Sequence, residues 1–527
     1  MMTTDDREEN FLPLSRSPIW ELQRSYYENL GIDAWQPNMV PNYVTTNPFI
    51  ARAYGKVIEG FLEDFAAGAR AKGSDEPHYI LELGAGSGRF AYSFLRHFFS
   101  PEATELRRKR NIVYVMTDIS RANIGFWERH PQLRPFVDAG VLDFAHLDVV
   151  KEHPIRLLIS DRIITPGSLA TPLSVIANYV IDSIPHDLYS VRDGVLMARK
   201  VCHRIDTAGD NIDDIVRNTE FDYVEEPTGA DIYENADWNR IVESYRQVKG
   251  GINFSLPVGG LTAIDRLSAL TSGPMFWLAG DFGAMDLSVL KEMGPRKVAR
   301  NGTYSLHVNF HAMAAYVTHR KGRVFTPGHA KSSLEMAGFL MNPGRKKVLH
   351  LAHRFKAHIR DNGPDEYFML KKIAEVNFSG HSLGHILALL RMGHGDIKMF
   401  RGCLDALTDA LRGAGAFEKK SVAEELVKVD EAHFRCDRTT DPALVILPIL
   451  MHLEAMKEAQ LVLERNRATL EATPEGTTIM SEVLIKAGRR HEAAAILNRL
   501  IQREPGYPPA QALLERLKTG ERAAKSA

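Results

Sequence analysis

Residues 79–95 read "YILELGAGSGRFAYSFL", and the way this stretch is parsed decides the fold. Ile80, Leu81 and Leu83 are large and apolar, as expected of a short buried strand. Phe90, Phe94, Leu95 and Phe98 recur at helical spacing. Between them Gly84, Gly86 and Gly88 permit a sharp strand-to-helix turn, and free amides at the helix start face whatever binds there. A dinucleotide fingerprint would need its third glycine at Arg89, and a carboxylate at Glu82 would repel a pyrophosphate. The pattern suits a cationic ligand instead.

The elements that follow repeat the arrangement. Ile112–Met116 is a second apolar run, ending at Asp118, whose carboxylate can accept from ribose hydroxyls. "GVLDFAHLDVV" is a third, with Asp148 placed for an adenine amino group, and "LSVIANYV" a fourth, delivering Asn178 and Tyr179. Strands alternating with helices predict an α/β fold with a doubly wound, mainly parallel Rossmann-like sheet. Glu82, Asp118, Asp148 and Asn178 should then gather beyond the strands' carboxyl ends. S-adenosylmethionine carries an ammonium and a sulfonium, and "ExGxGxG" resembles motif I of the class I methyltransferases.

Further segments, in the same order, resemble the MidA-like S-adenosylmethionine-dependent methyltransferases, relatives of the mitochondrial complex I assembly methyltransferase. "NYVTTNPFIARAYGKVI" from Tyr43, "NYVIDSIP" with Asn178, Asp182 and Pro185, "LAGDFG" at Asp281 and "HVNFHAM" from His307 match family segments between about residues 40 and 320. The resemblance implies a donor site at Glu82, Gly84, Ala85, Gly86, Gly88, Asp118, Ile119, Asp148, Asn178 and Thr46. Asp182, Asn178 and Tyr179 then line the transfer channel. Asp182 is placed to orient an acceptor amine, with His186 and His311 as weaker candidate bases. Two departures weaken an arginine acceptor: Tyr179 replaces a Glu, and Asn309 an Asp. A guanidinium favours paired carboxylates.

The 527 residues exceed one hydrophobic core. The reading gives an N-terminal helical segment (1–75), a catalytic domain (76–325), a linker (326–365) and a tetratricopeptide-like helical domain (366–527). A polar insertion at about 206–251 reads equally as a lid or as a surface excursion. In "IMSEVLIKAGRRHEAAAILNRLIQREPGYPP", Leu484, Gly488, Ala493 and Pro505 fit one helical repeat. In the basic stretch at 344–360, Leu349, Leu351, Ala352 and Phe355 suggest the apolar side of a helix rather than a nucleic-acid contact. Lys and Arg number 65 against 66 Asp and Glu, giving a net charge of −1 and no general pull towards nucleic acid or an anionic membrane. Three scattered cysteines and a polar start lead to the expectation of a cytoplasmic protein, and no metal-ligand spacing is found. The expected function is methyl transfer to a protein or peptide nitrogen, with the helical domain gripping the partner, and a homodimer is compatible with the sequence. An assembly scaffold without catalysis and a small-molecule methyltransferase are the alternatives.

Overall fold

The computed structural model describes residues 11–36, 40, 43–65, 76–100, 111–151, 153–204, 212–229, 231–300, 303–328, 334–436 and 440–526. The chain divides into two compact units, the first ending at Phe368 and the second beginning at Met369.

In the first unit the strands are β1 (His78–Leu83), β2 (Ile112–Asp118), β3 (Leu142–His146), β4 (Leu173–Asn178), β5 (Asp187–Arg192), β6 (Val195–Arg204), β7 (Glu220–Pro227), β8 (Ile252–Leu256), β9 (Met275–Asp281), β10 (Arg323–Phe325) and β11 (Glu335–Met341). The principal helices are α1 (Ile19–Leu30), α2 (Pro48–Phe65), α3 (Arg89–Phe98), α4 (Ala236–Arg246), α5 (Val258–Ala269), α6 (Phe310–His319) and α7 (His350–Phe355). Seven strands form the main sheet in the order β10-β11-β9-β4-β1-β2-β3. Only β11 runs against its neighbours. From β1 the chain winds outward through β2 to β3, then returns to β4 on the other side of β1. The topological switch point, where such folds bind ligands, therefore lies between β1 and β4.

Strands covered on both faces read as unbroken apolar runs. On one face Tyr79, Leu81, Val175, Trp277 and Phe339 share a core with Leu261 and Ile264 of α5 and Met313 and Tyr316 of α6. On the other, Phe94 packs on Tyr114 with ring centroids 4.9 Å apart, and Phe61 lies 5.6 Å from Phe276. In α2, Ile50, Tyr54, Val57, Ile58, Phe61, Leu62 and Phe65 are all buried. At about 1.5–3 kcal/mol for each large apolar side chain, this face outweighs any ion pair the helix makes. Arg354 of α7 lies 3.3 Å from the fully buried Glu59 and 2.8 Å from Glu63, and these pairs fix how α7 sits on α2. The basic stretch at 344–360 thus uses its central cation internally. Leu351 and Phe355 are buried, whereas Leu349, expected on the same apolar side, is exposed.

Two segments differ from the sequence reading. Residues 335–341, assigned to a linker, form β11, buried throughout between β9 and β10. Of the Pro-Gly breaks flanking this strand, Pro343-Gly344 leads into a turn after it, and residues 329–333 before it lie outside the described residues. The insertion at 206–251 also carries order. Its described part supplies β7, which extends the β5–β6 hairpin into an antiparallel sheet of order β8-β5-β6-β7, and then α4. Ile241, Val242 and Tyr245 bury one side of α4, a face that the dense charge of the segment conceals. Residues 206–211 lie outside the described residues.

The second unit is helical, with α8 (Leu383–Met392), α9 (Ile397–Leu411), α10 (Ala416–Ala432), α11 (Ala443–His452), α12 (Met456–Glu471), α13 (Pro474–Lys486), α14 (Arg490–Arg503) and α15 (Pro508–Ser526). Three helix pairs share one turn. The amides of Gly395, Ala455 and Arg489 bond the carbonyls of Leu390, Leu450 and Leu484. The residue before each amide (His394, Glu454, Gly488) has positive φ. Five residues beyond each of these, Met399, Ala459 and Ala493 are fully buried. Asp430 of α10 is completely buried and accepts from Arg435 at 3.0 Å, Arg465 at 2.5 Å and Asn466 at 2.7 Å. Removing the charge at such a node takes one of two carboxylate partners from each guanidinium, since Arg435 also pairs with Asp441 and Arg465 with Glu431, both at 2.7 Å. Asp430→Asn should therefore lower the stability of the helical unit by roughly 1.5–3 kcal/mol, read by denaturant titration of the full chain.

Candidate functional site

Two chambers open at the switch point. One, of about 250 Å³, is lined by Glu82, the Gly84–Ser87 turn, Thr46, Asn178, Tyr179 and Asp182. The other, of about 100 Å³, is lined by Asp118, Ile119, Asp148 and Val149. They share Tyr27, Trp35, Leu83, Gly84, Tyr179 and Ser183, so they are two halves of one cleft. The structure brings the sequence-predicted residues to this cleft from the ends of β1, β2 and β4 and from the turn after β3, with Thr46 joining them from the short helix Tyr43–Thr46. Gly88 lies one step behind the cleft and begins α3 with φ 79°.

The turn after β1 is bare backbone for a steric reason. Gly84 and Gly86 have φ of 58° and 52°, and a Cβ on Gly86 would stand 2.5 Å from Trp35. The Ala85 amide bonds Thr117 O at 2.9 Å, fastening the turn to β2. Asp118 receives the Gly86 amide at 2.9 Å and the Ser120 amide at 2.9 Å. Its carboxylate thus shapes the turn, and burial raises its pKa against those bonds.

The other acids are committed too, so the rim is less negative than the sequence suggests. Glu82 is buried and accepts from Tyr114 Oη at 2.9 Å, and burial pushes its pKa up to about 8. Asp148 is paired with Arg24 of α1, Nε to Oδ2, at 3.0 Å. On the β4 side Tyr54 Oη donates to Asn178 Oδ1 at 2.8 Å, passing a glycine, Gly280, whose Cβ would collide with the hydroxyl at 2.7 Å. Asn178 Nδ2 has no partner among the described residues. Tyr179 next to it has φ 51°, a conformation costly for a bulky side chain and concentrated at functional sites.

Asp281 and Asp182 form a buried pair. Asp281 Oδ2 accepts the Ile181 and Asp182 amides at 2.9 and 3.2 Å, and Oδ1 that of Phe282 at 2.8 Å. Burial, and then the neighbouring Asp182, raise its pKa, while three N–H donors favour its charge. Asp182 gains one hydroxyl, from Ser183 at 2.8 Å, and burial pushes its pKa up to about 7. With three N–H donors against one hydroxyl, Asp281 is the better placed of the two to carry the charge and Asp182 the proton. Asp281, with its oxygens spent on backbone, is a scaffold.

The candidate bases do not line the cleft. His186 is buried, bonded to Ile181 O at 2.8 Å and pushed down to about 4 by burial. His311 bonds Tyr245 Oη at 2.8 Å. Asn309 caps α6 through Ala312 N and donates to Ser255 O, so its replacement of an acid concerns the start of that helix, not an acceptor pocket. Sequence reasoning missed Arg24, Tyr27 and Trp35, which wall the cleft from the N-terminal segment. The rings of Tyr27 and Trp35 stack 5.9 Å apart. The only signal was the aromatic density of "SYYENLGIDAW".

No family profile matches the chain, and no curated protein matches it. Among solved structures, a protein from Burkholderia thailandensis bound to S-adenosyl-homocysteine is 14% identical, with 61% of this chain and 75% of that one covered and a TM-score of 0.38. An uncharacterized protein from the same organism gives 12%, 66%, 91% and 0.41. Magnesium protoporphyrin IX methyltransferase from Synechocystis gives 9%, 61%, 96% and 0.27. Similarity this distant carries no weight for function, which rests on the cleft itself.

Gly86→Ala would force both a positive φ and a displaced Trp35. It should cost about 1–3 kcal/mol in denaturant titration and alter the tryptophan fluorescence of the folded state.

Proposed function

We propose that the chain is an S-adenosylmethionine-dependent methyltransferase that acts on a side-chain nitrogen of a protein or peptide. The observation that supports this most is the meeting, at one switch point, of a bare glycine turn with carboxylates from three successive strand ends. The cleft's own features fit the donor. Gly84 and Gly86 leave the turn open to close approach, Glu82 is a buried acid without a cationic partner among the described residues, and Asn178 Nδ2 is a donor in want of an acceptor. When bound, the donor supplies an electrophilic methyl group on a sulfonium, which leaves alignment as the protein's main task.

Glu82 would meet the ammonium, with Thr46 and Ala85 beside it. Asp118, Ile119 and Asp148 would hold the nucleoside. Tyr179, on its strained backbone, stands where the chambers join. Asp182, protonated up to neutral pH, would orient an acceptor amine and take its proton once ionised. The three equivalent helix turns favour a tetratricopeptide-like partner-binding role for the second unit, since Glu454 and Gly488 are 34 residues apart, the period of that repeat. The same feature favours the second reading, an assembly protein without catalysis.

The reading is tested by supplying the chain with isotopically labelled methyl donor and an extract as the source of acceptors. Label in protein supports it, label in a metabolite assigns a small-molecule acceptor, and donor binding without transfer assigns a scaffold.

Two measurements follow from the titrating groups. Below pH 8 Glu82 is protonated, and an ammonium favours its carboxylate. Calorimetry at about pH 6.5 should then show release of close to one proton on binding S-adenosylhomocysteine, and none for Glu82→Gln. A base works deprotonated, so transfer should speed up as pH rises through about 7. Asp182→Asn should remove that rise and slow transfer by about 10²–10⁴-fold.

A further inference from the structure

α1 contributes nothing to the main sheet, yet Trp20, Gln23, Arg24 and Tyr27 form one wall of the smaller chamber, opposite Asp118 and Asp148. Arg24 is the charged member of that wall. Its Nε lies 3.0 Å from Asp148 Oδ2, with the two side chains 23% and 12% exposed. Glu21 Oε1 accepts from Arg24 Nη1 at 2.7 Å and so holds the guanidinium from behind. Asp148 Oδ1 accepts from Val150 N at 3.1 Å, and Lys151 Nζ stands 3.9 Å from Oδ2. Asp148 is thereby fixed in one rotamer between cations. A carboxylate in that state has only lone pairs to offer.

Resting on the donor reading above, we infer that Arg24 is a specificity-determining residue: by holding the Asp148 carboxylate in one orientation, it makes the chamber select a nucleobase bearing an exocyclic amino group over one bearing a carbonyl there. An amino group donates to the free lone pairs. A carbonyl oxygen opposes lone pair to lone pair, and a site built on one polar contact rejects an analogue that cannot make it. Without Arg24 the carboxylate is free to rotate towards Lys151, and its lone pairs no longer hold one direction in the chamber.

The test is calorimetry on the full chain with S-adenosylhomocysteine and S-inosylhomocysteine, which differ at that position of the base. Wild type should prefer the adenosyl compound by at least about 100-fold, and Arg24→Met should reduce the preference to within about 10-fold. Arg24→Lys should retain most of it. Asp148→Asn should abolish it, and adding Arg24→Met to that variant should change nothing further, which a packing role for Arg24 would not produce. Thermal melts establish that each variant is folded. A preference unmoved by Arg24→Met, or both affinities falling by one common factor, overturns the inference while leaving the donor reading intact. If wild type takes up neither compound, the donor reading fails and this assignment with it.

Discussion

Two buried carboxylates, at the ends of strands on either side of the switch point, hold the backbone on which everything else depends. Asp118 at the end of β2 takes the amides of Gly86 and Ser120. Asp281 at the end of β9 takes those of Ile181, Asp182 and Phe282. Each carboxylate ends one strand and bonds the loop that follows a neighbouring strand. A buried charge is costly unless it is hydrogen-bonded, and here the backbone itself satisfies it. The geometry of the glycine turn and of the loop carrying Asp182 is thus set electrostatically, and the cleft is the space left between two loops so restrained.

This explains how much was legible in the sequence. The apolar runs of β1, β2 and β4 and the three glycines announce themselves by residue type, because a doubly buried strand and a turn at positive φ tolerate few alternatives. What sequence cannot give is the division of labour among acids. Glu82, Asp118, Asp148, Asp182 and Asp281 look alike along the chain, yet one accepts from a tyrosine, two serve the backbone, one is bound to an arginine and one accepts from a neighbouring serine. Those roles are decided by partners as far away in sequence as Arg24. β11 went unrecognised for a related reason. "LEMAGFLM" is short and flanked by Pro-Gly breaks, and only its insertion between β9 and β10 makes a strand of it.

The N-terminal segment changes how the cleft is understood. Trp20, Arg24, Tyr27 and Trp35 wall one side of the cleft beyond the strand ends, and they do so from residues that precede the first strand. The second unit follows a different logic, with stability carried by repeated turns and by the ionic node at Asp430. Both units nevertheless use the same device, a fully buried aspartate saturated by several donors.

The position of β11 also has a consequence for biosynthesis. As the chain leaves the ribosome, β9 is complete by residue 281, but the strand that covers its outer edge ends only at residue 341. During that interval β9 presents unpaired amides and carbonyls beside Phe276 and Trp277, a template on which another nascent chain can add. The sheet is therefore closed by nearly the last piece of its own unit to be made, and its vulnerability to aggregation is concentrated in one short window of translation.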